Sequence, residues 1–590
     1  MVTQYGIVKK LAIKDIITNR NSVNMIKFKD AVVKLISQTD CGLEHDEIQS
    51  LIEIPPSHEM GDYAFPCFRL AKTFRKAPNL ISKDLAEKIQ GNQYFERVEN
   101  VGPYINFFVN KEAMAKTVLE EAKDKKEKFG SSNMGEGKTV LVEFSSPNIA
   151  KPFHIGHIRT TIIGNSLHKI FTFLGFDTVA INHLGDYGTQ FGKLIVGYKN
   201  WGDKETIEAD PINELLKIYV KFHEEVEKNP ELDEEARHWF SKLENNDEEA
   251  LELWHWMREI SLREFNKVYD MLGIKFDSLA GESFYSDKMP RVIEELEEKK
   301  LLVKSEGAEI VDLDSFGLPP ALVKKSDGST LYVTRDIAAS IYRKEHYDFY
   351  KNIYVVGSEQ ILHFKQWMAI VELMGYEWVK DCIHVPFGMV SLEDGTMSTR
   401  KGRVVFLEDV LKKAIDKTKD IIEERNPNLE NKEDVAKQVG IGAIIFQELF
   451  NGRIKDYVFS WDKTLSFEGE TGPYVQYAHA RAYRLLEKGE FSLDKEIDYS
   501  LLKTEEEMAI LKLLYDFPNV VISSAEKYEP SIVTRHVTEI AKAFNRFYHN
   551  CPILSEEGAL KDARLLLVYA TKAVLKAGLN LLGMEVPDKM

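Results

Sequence analysis

The chain has 590 residues, 44% of them hydrophobic and 29% charged, and a formal net charge of −17. That describes an ordinary soluble globular protein of roughly three to five domains, and its acidity argues against a surface that binds polyanions all over, though not against a local basic track. Cys41, Cys67, Cys382 and Cys551 lie far apart with no C-x-x-C pair, which disfavours a zinc site or a disulfide framework and fits a reducing compartment. No uninterrupted apolar run reaches the ~20 residues of a membrane span.

In chain order, residues 1–25 carry Lys9, Lys10, Lys14 and Arg20 but also Asp15 and no continuous apolar stretch, so a signal peptide is not expected. They read as a loosely ordered extension, with Met25 as an alternative start. Residues 26–130 read as a small α+β unit: helices at 27–38 and 80–90, strands at Leu51–Ile54 and Tyr104–Val109, then a charged helix from Lys111 to Lys128. The Gly/Ser-rich run from Gly130 to Gly137 is the clearest linker.

Residues 138–410 alternate strands (139–144, 178–182, 353–356, 383–385) with helices (158–174, 211–227, 247–271, 290–299, 335–345, 361–374). This alternation predicts a parallel, doubly wound α/β sheet of Rossmann type, with acidic helices inserted at about 200–330. After 410 strands are not expected. Helices are predicted at Lys413–Glu424, Val435–Phe450, Pro473–Lys488, Thr504–Tyr515, Ile532–Tyr548 and Ala559–Leu582, making 411–590 an all-α bundle.

Three constellations carry chemistry. His154-Ile155-Gly156-His157 stands where a strand ends and a helix begins, a place whose free N–H groups and helix dipole suit phosphate; two histidines capping a helix by chance would look alike. Gly395-Thr396-Met397-Ser398-Thr399-Arg400-Lys401-Gly402-Arg403 is a hydroxyl- and cation-rich loop able to close over a triphosphate, or else a solvated basic turn. Gly357-Ser358-Glu359-Gln360 places a carboxylate just beyond a strand, where ribose hydroxyls are commonly held; an acidic helix start reads the same way.

Taken in order, these strings resemble the HIGH, G-x-D-Q and KMSKS signatures of class I aminoacyl-tRNA synthetases. The longer strings Glu143 to Phe153, Gly185 to Gly192, Tyr332 to Asp336 and Gly472 to His479 are similar to the arginyl-tRNA synthetase family, and Asp562-Ala563-Arg564-Leu565 to the motif that names its anticodon-binding bundle. The resemblance covers about 26 to 590. It implies an N-terminal tRNA-contacting domain (26–130), a catalytic Rossmann domain (138–410) and the bundle (411–590).

The resemblance also implies roles. Tyr332 and Asp336 would hold the guanidinium, whose planar fork of donors suits a carboxylate. Glu143, Asn148, His154 and Gln360 would surround the α-amino and carboxylate end. Gly156, His157, Gly357, Glu359, Met389, Met397 and Thr399 would hold ATP, with His154, His157, Lys151, Ser398, Arg400 and Lys401 acting on the phosphates. The loop departs from the family pattern: Thr396 and Thr399 replace its lysines, and Lys151 occupies the place from which a lysine is thought to compensate. Gly61-Asp62-Tyr63-Ala64 looks like part of the N-terminal domain, with Asn106 and Phe108 as tRNA contacts. Tyr474, Tyr477, Tyr548 and Met590 would face the anticodon, tyrosines being able to stack on unpaired bases, with Arg481, Arg484, Arg535, Lys542 and Arg546 supplying phosphate contacts.

The expected reaction is ATP-dependent arginylation of tRNA(Arg), with Mg²⁺ accompanying ATP, no zinc or other protein-bound metal, no membrane partner, a monomer, a cytoplasmic setting, and an adenylate step that needs tRNA. Alternatives are a small-substrate nucleotidyltransferase, which would not need the flanking domains, a non-catalytic RNA-binding derivative, and a class I enzyme for another amino acid.

Overall fold

The computed structural model describes residues 25, 27–89, 92–325, 332–392 and 405–590. The 1–25 extension, Met25 apart, lies outside them, and so does the loop that holds Met397, Ser398, Thr399, Arg400 and Lys401.

At the centre is a parallel sheet of four strands, ordered Cys382–Phe387, Lys351–Gly357, Thr139–Glu143, Asp177–Ile181. Their β-branched and apolar side chains alternate between two cores, as a two-residue period requires. Val140, Val142, Ile353 and Val355 pack with Ile158 and Ile162 of the helix Ile158–Phe173. Leu141, Ile181 and Tyr354 face the opposite core, formed by Ile337 and Ile341 of helix Tyr332–Tyr347 and Trp367 of helix Ile361–Leu373. The sheet is thus doubly wound, as the alternation predicts. Strand order reverses between Thr139–Glu143 and Lys351–Gly357, so the crevice beyond their carboxyl ends is where such a sheet takes a ligand.

The insertion contains the expected helices, Pro211–Val226, Glu248–Leu272 and Met289–Glu298, with further helices at Lys204–Ala209, Glu231–Glu244 and Glu282–Tyr285, and helix Thr189–Trp201 leads into it. It also contains an antiparallel sheet of Leu302–Ser305, Ala308–Val311 and Ala321–Lys324. Four-residue strands with mostly half-exposed side chains leave too short a pattern to read.

In the N-terminal unit, Tyr63–Pro66, Tyr104–Val109 and Phe95–Val101 form an antiparallel sheet in that order. The strand expected at Leu51–Ile54 does not form. A reciprocal cap between Glu44 and Glu47 starts helix His45–Leu51, which consumes Leu51 and leaves only Glu53 bridging Ala64. The Gly130–Gly137 run is a packed seam rather than a loose connector: a Cβ on Gly130 would meet the Phe517 ring at 2.8 Å, and one on Gly135 the Phe176 ring at 2.3 Å.

The C-terminal region is helical from Leu407–Arg425 through Gly558–Leu581, but Tyr457–Phe459, where no strand is expected, pairs in parallel with Val390–Leu392. The helix expected to end at Tyr515 runs from Glu505 to Lys527 through Pro518. Packing on both sides of Phe517, against the Gly130 and Gly578 positions, outweighs the hydrogen bond proline removes. By length and composition this helix could cross a membrane, yet half of its apolar window is buried within the fold. It also docks the N-terminal unit, through the Asp62–Lys512 ion pair (2.5 Å) and the Phe28 N–H donating to the Tyr515 hydroxyl (3.0 Å).

One packing constraint is sharp. A Cβ on Gly164, in the Ile158–Phe173 helix, would lie 2.1 Å from Cβ of Phe144. Gly164→Ala should therefore destabilise the protein by about 1–3 kcal/mol, read as a lowered midpoint in urea unfolding with unchanged slope.

Candidate active site

The ligand turn begins where Glu143 ends its strand. The chain leaves through three non-glycine residues with left-handed backbone, Ser145 (φ 70°), Ser146 (φ 49°) and Ala150 (φ 59°), each a costly conformation that must be held from outside. Each of their N–H groups has a side-chain acceptor. Ser145 donates to Oγ1 of Thr160 at 3.0 Å, Ser146 to Oδ1 of Asn182 at 3.1 Å, and Ala150 to Oγ of Ser261 at 3.1 Å. Tyr269 closes the network at the Ser145 hydroxyl (2.8 Å) and at the Asn182 amide, which donates to it at 3.1 Å. On the other flank Asn148 pairs with Gly185, and a Cβ on Gly185 would stand 2.1 Å from Oδ1 of Asn148. Asp186, fully buried, accepts from Arg258, from the Ser283 N–H and from the Ser283 hydroxyl at 2.9–3.0 Å, fixing this flank to the insertion.

The histidine turn is a capped 3-10 turn, Ile155–His157, running into the long helix. Nδ1 of His154 accepts from the Gly156 N–H at 3.0 Å, so its proton sits on Nε2. Nδ1 of His157 accepts from the His154 N–H at 3.2 Å, and the two rings stand 4.1 Å apart. Burial lowers both imidazoles; His157, with His154 beside it, is pushed down to about 3. Near neutrality they are uncharged N–H donors, suited to meeting charge that develops on phosphate. The far side of the turn is fixed by the Ile155 N–H donating to Val405 and the Leu407 N–H to Phe153, at 3.1 and 3.0 Å. Lys151 is half-buried, and burial lowers its ammonium while Glu282 opposes the shift.

Acidic groups gather at the same end of the sheet. Glu143 does not stand free: it pairs at 2.6 Å with Arg343, fully buried, whose Nη2 lies 3.3 Å from Nδ1 of His183. Arg335 pairs with Glu282 at 3.1 Å and lies 5.3 and 5.6 Å from the ring centres of Tyr187 and Tyr332. Burial pushes Glu282 up to about 7, Arg335 opposing and Asp336 and Asp186 reinforcing. Asp336 meets Nε2 of His363 at 2.5 Å. Glu143, two residues after Leu141, points to the sheet face covered by helix Tyr332–Tyr347, which carries Asp336, so the two carboxylates share one side of the sheet. Tyr332 is 66% exposed, and Asn148, Glu359 and Gln360 are exposed at the crevice. Gly357 ends its strand, with Glu359 in the following turn. Met389 is half exposed, its N–H donating to Asp456 at 2.6 Å. Arg343, Glu282, His183 and His363 were not singled out from sequence; an arginine on an amphipathic helix carries no mark of burial.

In the bundle, Tyr477 (41% exposed) and Tyr548 (39%) flank Arg481, whose Cζ lies 4.9 and 4.6 Å from their ring centres. Arg481 donates to Asn545, which donates to the Tyr474 hydroxyl, at 2.7 and 2.9 Å. The carbonyl of Met590 accepts from Arg484 at 3.1 Å. Lys542 pairs with Glu470 and Glu539, and Arg535 donates to Ser531. In the N-terminal sheet Asn106 is buried with its Oδ1 unpaired. Phe108 is buried beneath Arg97, whose Cζ lies 3.7 Å from the ring centre, so its face is not free for a base.

A doubly wound sheet with a neutral histidine pair at its switch point and a helical domain behind it defines a class I aminoacyl-tRNA synthetase. The family model for the class I (R) tRNA synthetase catalytic domain matches residues 118–461, the DALR anticodon binding domain 475–590, and the arginyl-tRNA synthetase N-terminal domain 26–109. Arginine–tRNA ligases of Halothermothrix orenii and Clostridioides difficile are 65% and 60% identical over 566 residues, 96% of this chain and all of theirs. The arginyl-tRNA synthetase structures of Thermus thermophilus and Plasmodium falciparum superpose with TM-scores of 0.76 and 0.79 at 25% identity, covering 95% and 96% of this chain and 99% and 100% of theirs. The chain belongs to the arginyl-tRNA synthetase family.

The histidine environment sets a pH dependence. An unfolded histidine takes up a proton near about pH 6.5, but folded His157 only near about 3. The stability it contributes is therefore complete above the first value and lost as pH falls toward the second, by up to ~1.4 kcal/mol per pH unit. Urea unfolding of wild type and His157→Gln from pH 7 to 4 should show the shallower decline in the variant.

Proposed function

We propose that this chain is an arginine–tRNA ligase that activates L-arginine with ATP and transfers it to the terminal adenosine of tRNA(Arg). The observation that carries this reading is the meeting, at one sheet end, of uncharged imidazole donors and a cluster of carboxylates. Phosphate and a cationic head group are opposite demands, and this end of the sheet carries groups suited to each.

In this reading Asp336 accepts the guanidinium N–H groups, with Tyr332 beside it and Glu282 near. Asn148, Gln360 and the Glu143–Arg343 pair surround the α-amino and carboxylate end. Gly156, Gly357 and Met389 line the adenosine, and Glu359 holds the ribose. The arginine carboxylate attacks the α-phosphorus, forming a new P–O bond as the bond to pyrophosphate breaks. Nε2 of His154 and the His157 imidazole donate to oxygens on which charge grows. Lys151, with Ser398, Thr399, Arg400, Lys401 and Met397 of the hydroxyl- and cation-rich segment, steadies the pyrophosphate. A ribose hydroxyl of the tRNA terminus then attacks the arginyl carbonyl, releasing AMP. The turn offers N–H donors rather than a carboxylate set, which fits a Mg²⁺ ion carried by the ATP phosphates. Tyr474, Tyr477, Tyr548, Arg481 and Met590 are proposed to meet the anticodon region, and Asn106, with Arg97 over Phe108, the body of the tRNA.

Charging of total tRNA with each labelled amino acid in turn tests the assignment: only arginine should be esterified. Asp336→Asn should raise the KM for arginine ~10- to 100-fold, the worth of a hydrogen bond to a charged group, and leave the KM for ATP unchanged. His154→Ala should lower turnover ~10²–10³-fold, as expected for loss of one transition-state donor. An undiminished rate in Lys151→Ala would remove that lysine from the phosphate site.

A further inference from the structure

Arg159 follows the histidine turn by two residues, and its side chain is fully buried. One nitrogen, Nη1, donates to two carbonyls from distant parts of the chain, Gly388 at 2.9 Å and Lys455 at 2.7 Å. Nε lies 3.5 Å from the carboxylate of Glu448, also buried, and Cζ stands 5.3 Å from the Tyr457 ring centre. Beyond that ion pair, Nε and Nη2 of Arg159 and both oxygens of Glu448 make no hydrogen bond.

The two carbonyls mark a junction. Gly388 and Met389 leave the central sheet, and Lys455 belongs to the turn after helix Lys432–Phe450. The segments are clasped together. The Gly388 N–H donates to Arg453 at 2.8 Å, Arg453 donates to Pro386 at 2.6 Å, and the Met389 N–H donates to Asp456 at 2.6 Å. A Cβ on Gly388 would stand 2.5 Å from Oδ1 of Asp456, so the approach has no slack. Arg453 in turn donates to Tyr528 at 3.0 Å, at the end of helix Glu505–Lys527 in the bundle.

A buried ion pair with unused donors and acceptors is a poor source of stability; apolar residues of the same volume commonly do as well or better. What this pair provides is geometry: a planar guanidinium reaching two carbonyls and a carboxylate fixes three elements at once. We propose that Arg159 and Glu448 are positioning residues for the nucleotide, holding the Gly388–Met389 wall at a set distance from the histidine turn and tying that distance to the seating of the helical bundle. This rests on the reading that Met389 lines the ATP site.

The test is steady-state arginylation at saturating tRNA with Arg159→Lys, which keeps the charge but cannot span both carbonyls, and Glu448→Gln, which keeps the shape should the first fold poorly. Misplacing a binding wall by about 1 Å costs up to ~10²-fold in rate. The expected result is a 10- to 100-fold loss of kcat/KM for ATP, with the KM for arginine and the Kd for tRNA within about twofold of wild type. Arg159→Met should be worse than Arg159→Lys. Wild-type kinetics from the folded fraction, with only the melting temperature lowered, would reduce the pair to a structural role and overturn the proposal. So would KM values for arginine and ATP that rise together. A wild-type enzyme that charges no tRNA with arginine would instead sink the functional reading.

Discussion

Everything at the site depends on how the chain leaves the strand that ends at Glu143. A parallel strand feeding straight into its helix would carry the histidine turn away from the crevice. Here the exit is bent through three left-handed non-glycine residues, and the bend is kept by four side chains from three other parts of the fold: Thr160, Asn182, and Ser261 with Tyr269 on one helix. The strain is local and the hydrogen bonds that retain it are buried, where an unmade bond is most expensive. The histidine turn is therefore held in place by the fold rather than by its own four residues.

That arrangement buries the imidazoles, and burial favours their neutral form. A charged pair 4.1 Å apart would repel and would need solvent or carboxylates to support it. Nδ1 of His154 is spent on the backbone of the turn itself, so its Nε2–H is left as a fixed dipole. Preorganised donors of this kind act without reorganising as charge develops.

Much of the fold was legible because it is written in periodicity: the four core strands, the long helices and the doubly wound order follow from apolar alternation and spacing. The site strings were legible because glycine, proline and histidine cluster at a strand end. What could not be read is what depends on tertiary neighbours. Leu51 reads as strand until the Glu44–Glu47 cap claims it for a helix. Gly130 and Gly135 read as linker until phenylalanine rings occupy the space a side chain would need. Phe108 reads equally as a tRNA contact or a core residue until its burial beneath Arg97 is seen. Val390–Leu392 and Tyr457–Phe459 are three-residue strands whose partner lies more than sixty residues away. In each case the deciding contact lies outside the window a periodicity argument uses.

Resident arginines alter the electrostatic account most. A pocket for a guanidinium invites the simple picture of several carboxylates waiting for a cation. Among the described residues the carboxylates at this end of the sheet are mostly spoken for: Glu143 by Arg343, Glu282 by Arg335, Asp186 by Arg258. Three unpaired buried carboxylates would have been prohibitively costly in the empty protein, or would have taken up protons and lost the charge they were needed for. Pairing them with internal guanidiniums supplies each with a counter-charge and leaves one acidic side chain, Asp336, held only by an imidazole among the described residues. An imidazole can rotate away or give up its proton, and a buried arginine cannot. In the reading proposed above, the carboxylate that meets an incoming guanidinium is the one whose present partner is the weakest. Specificity on this account comes less from the number of acidic groups than from which of them the protein has left without a guanidinium of its own.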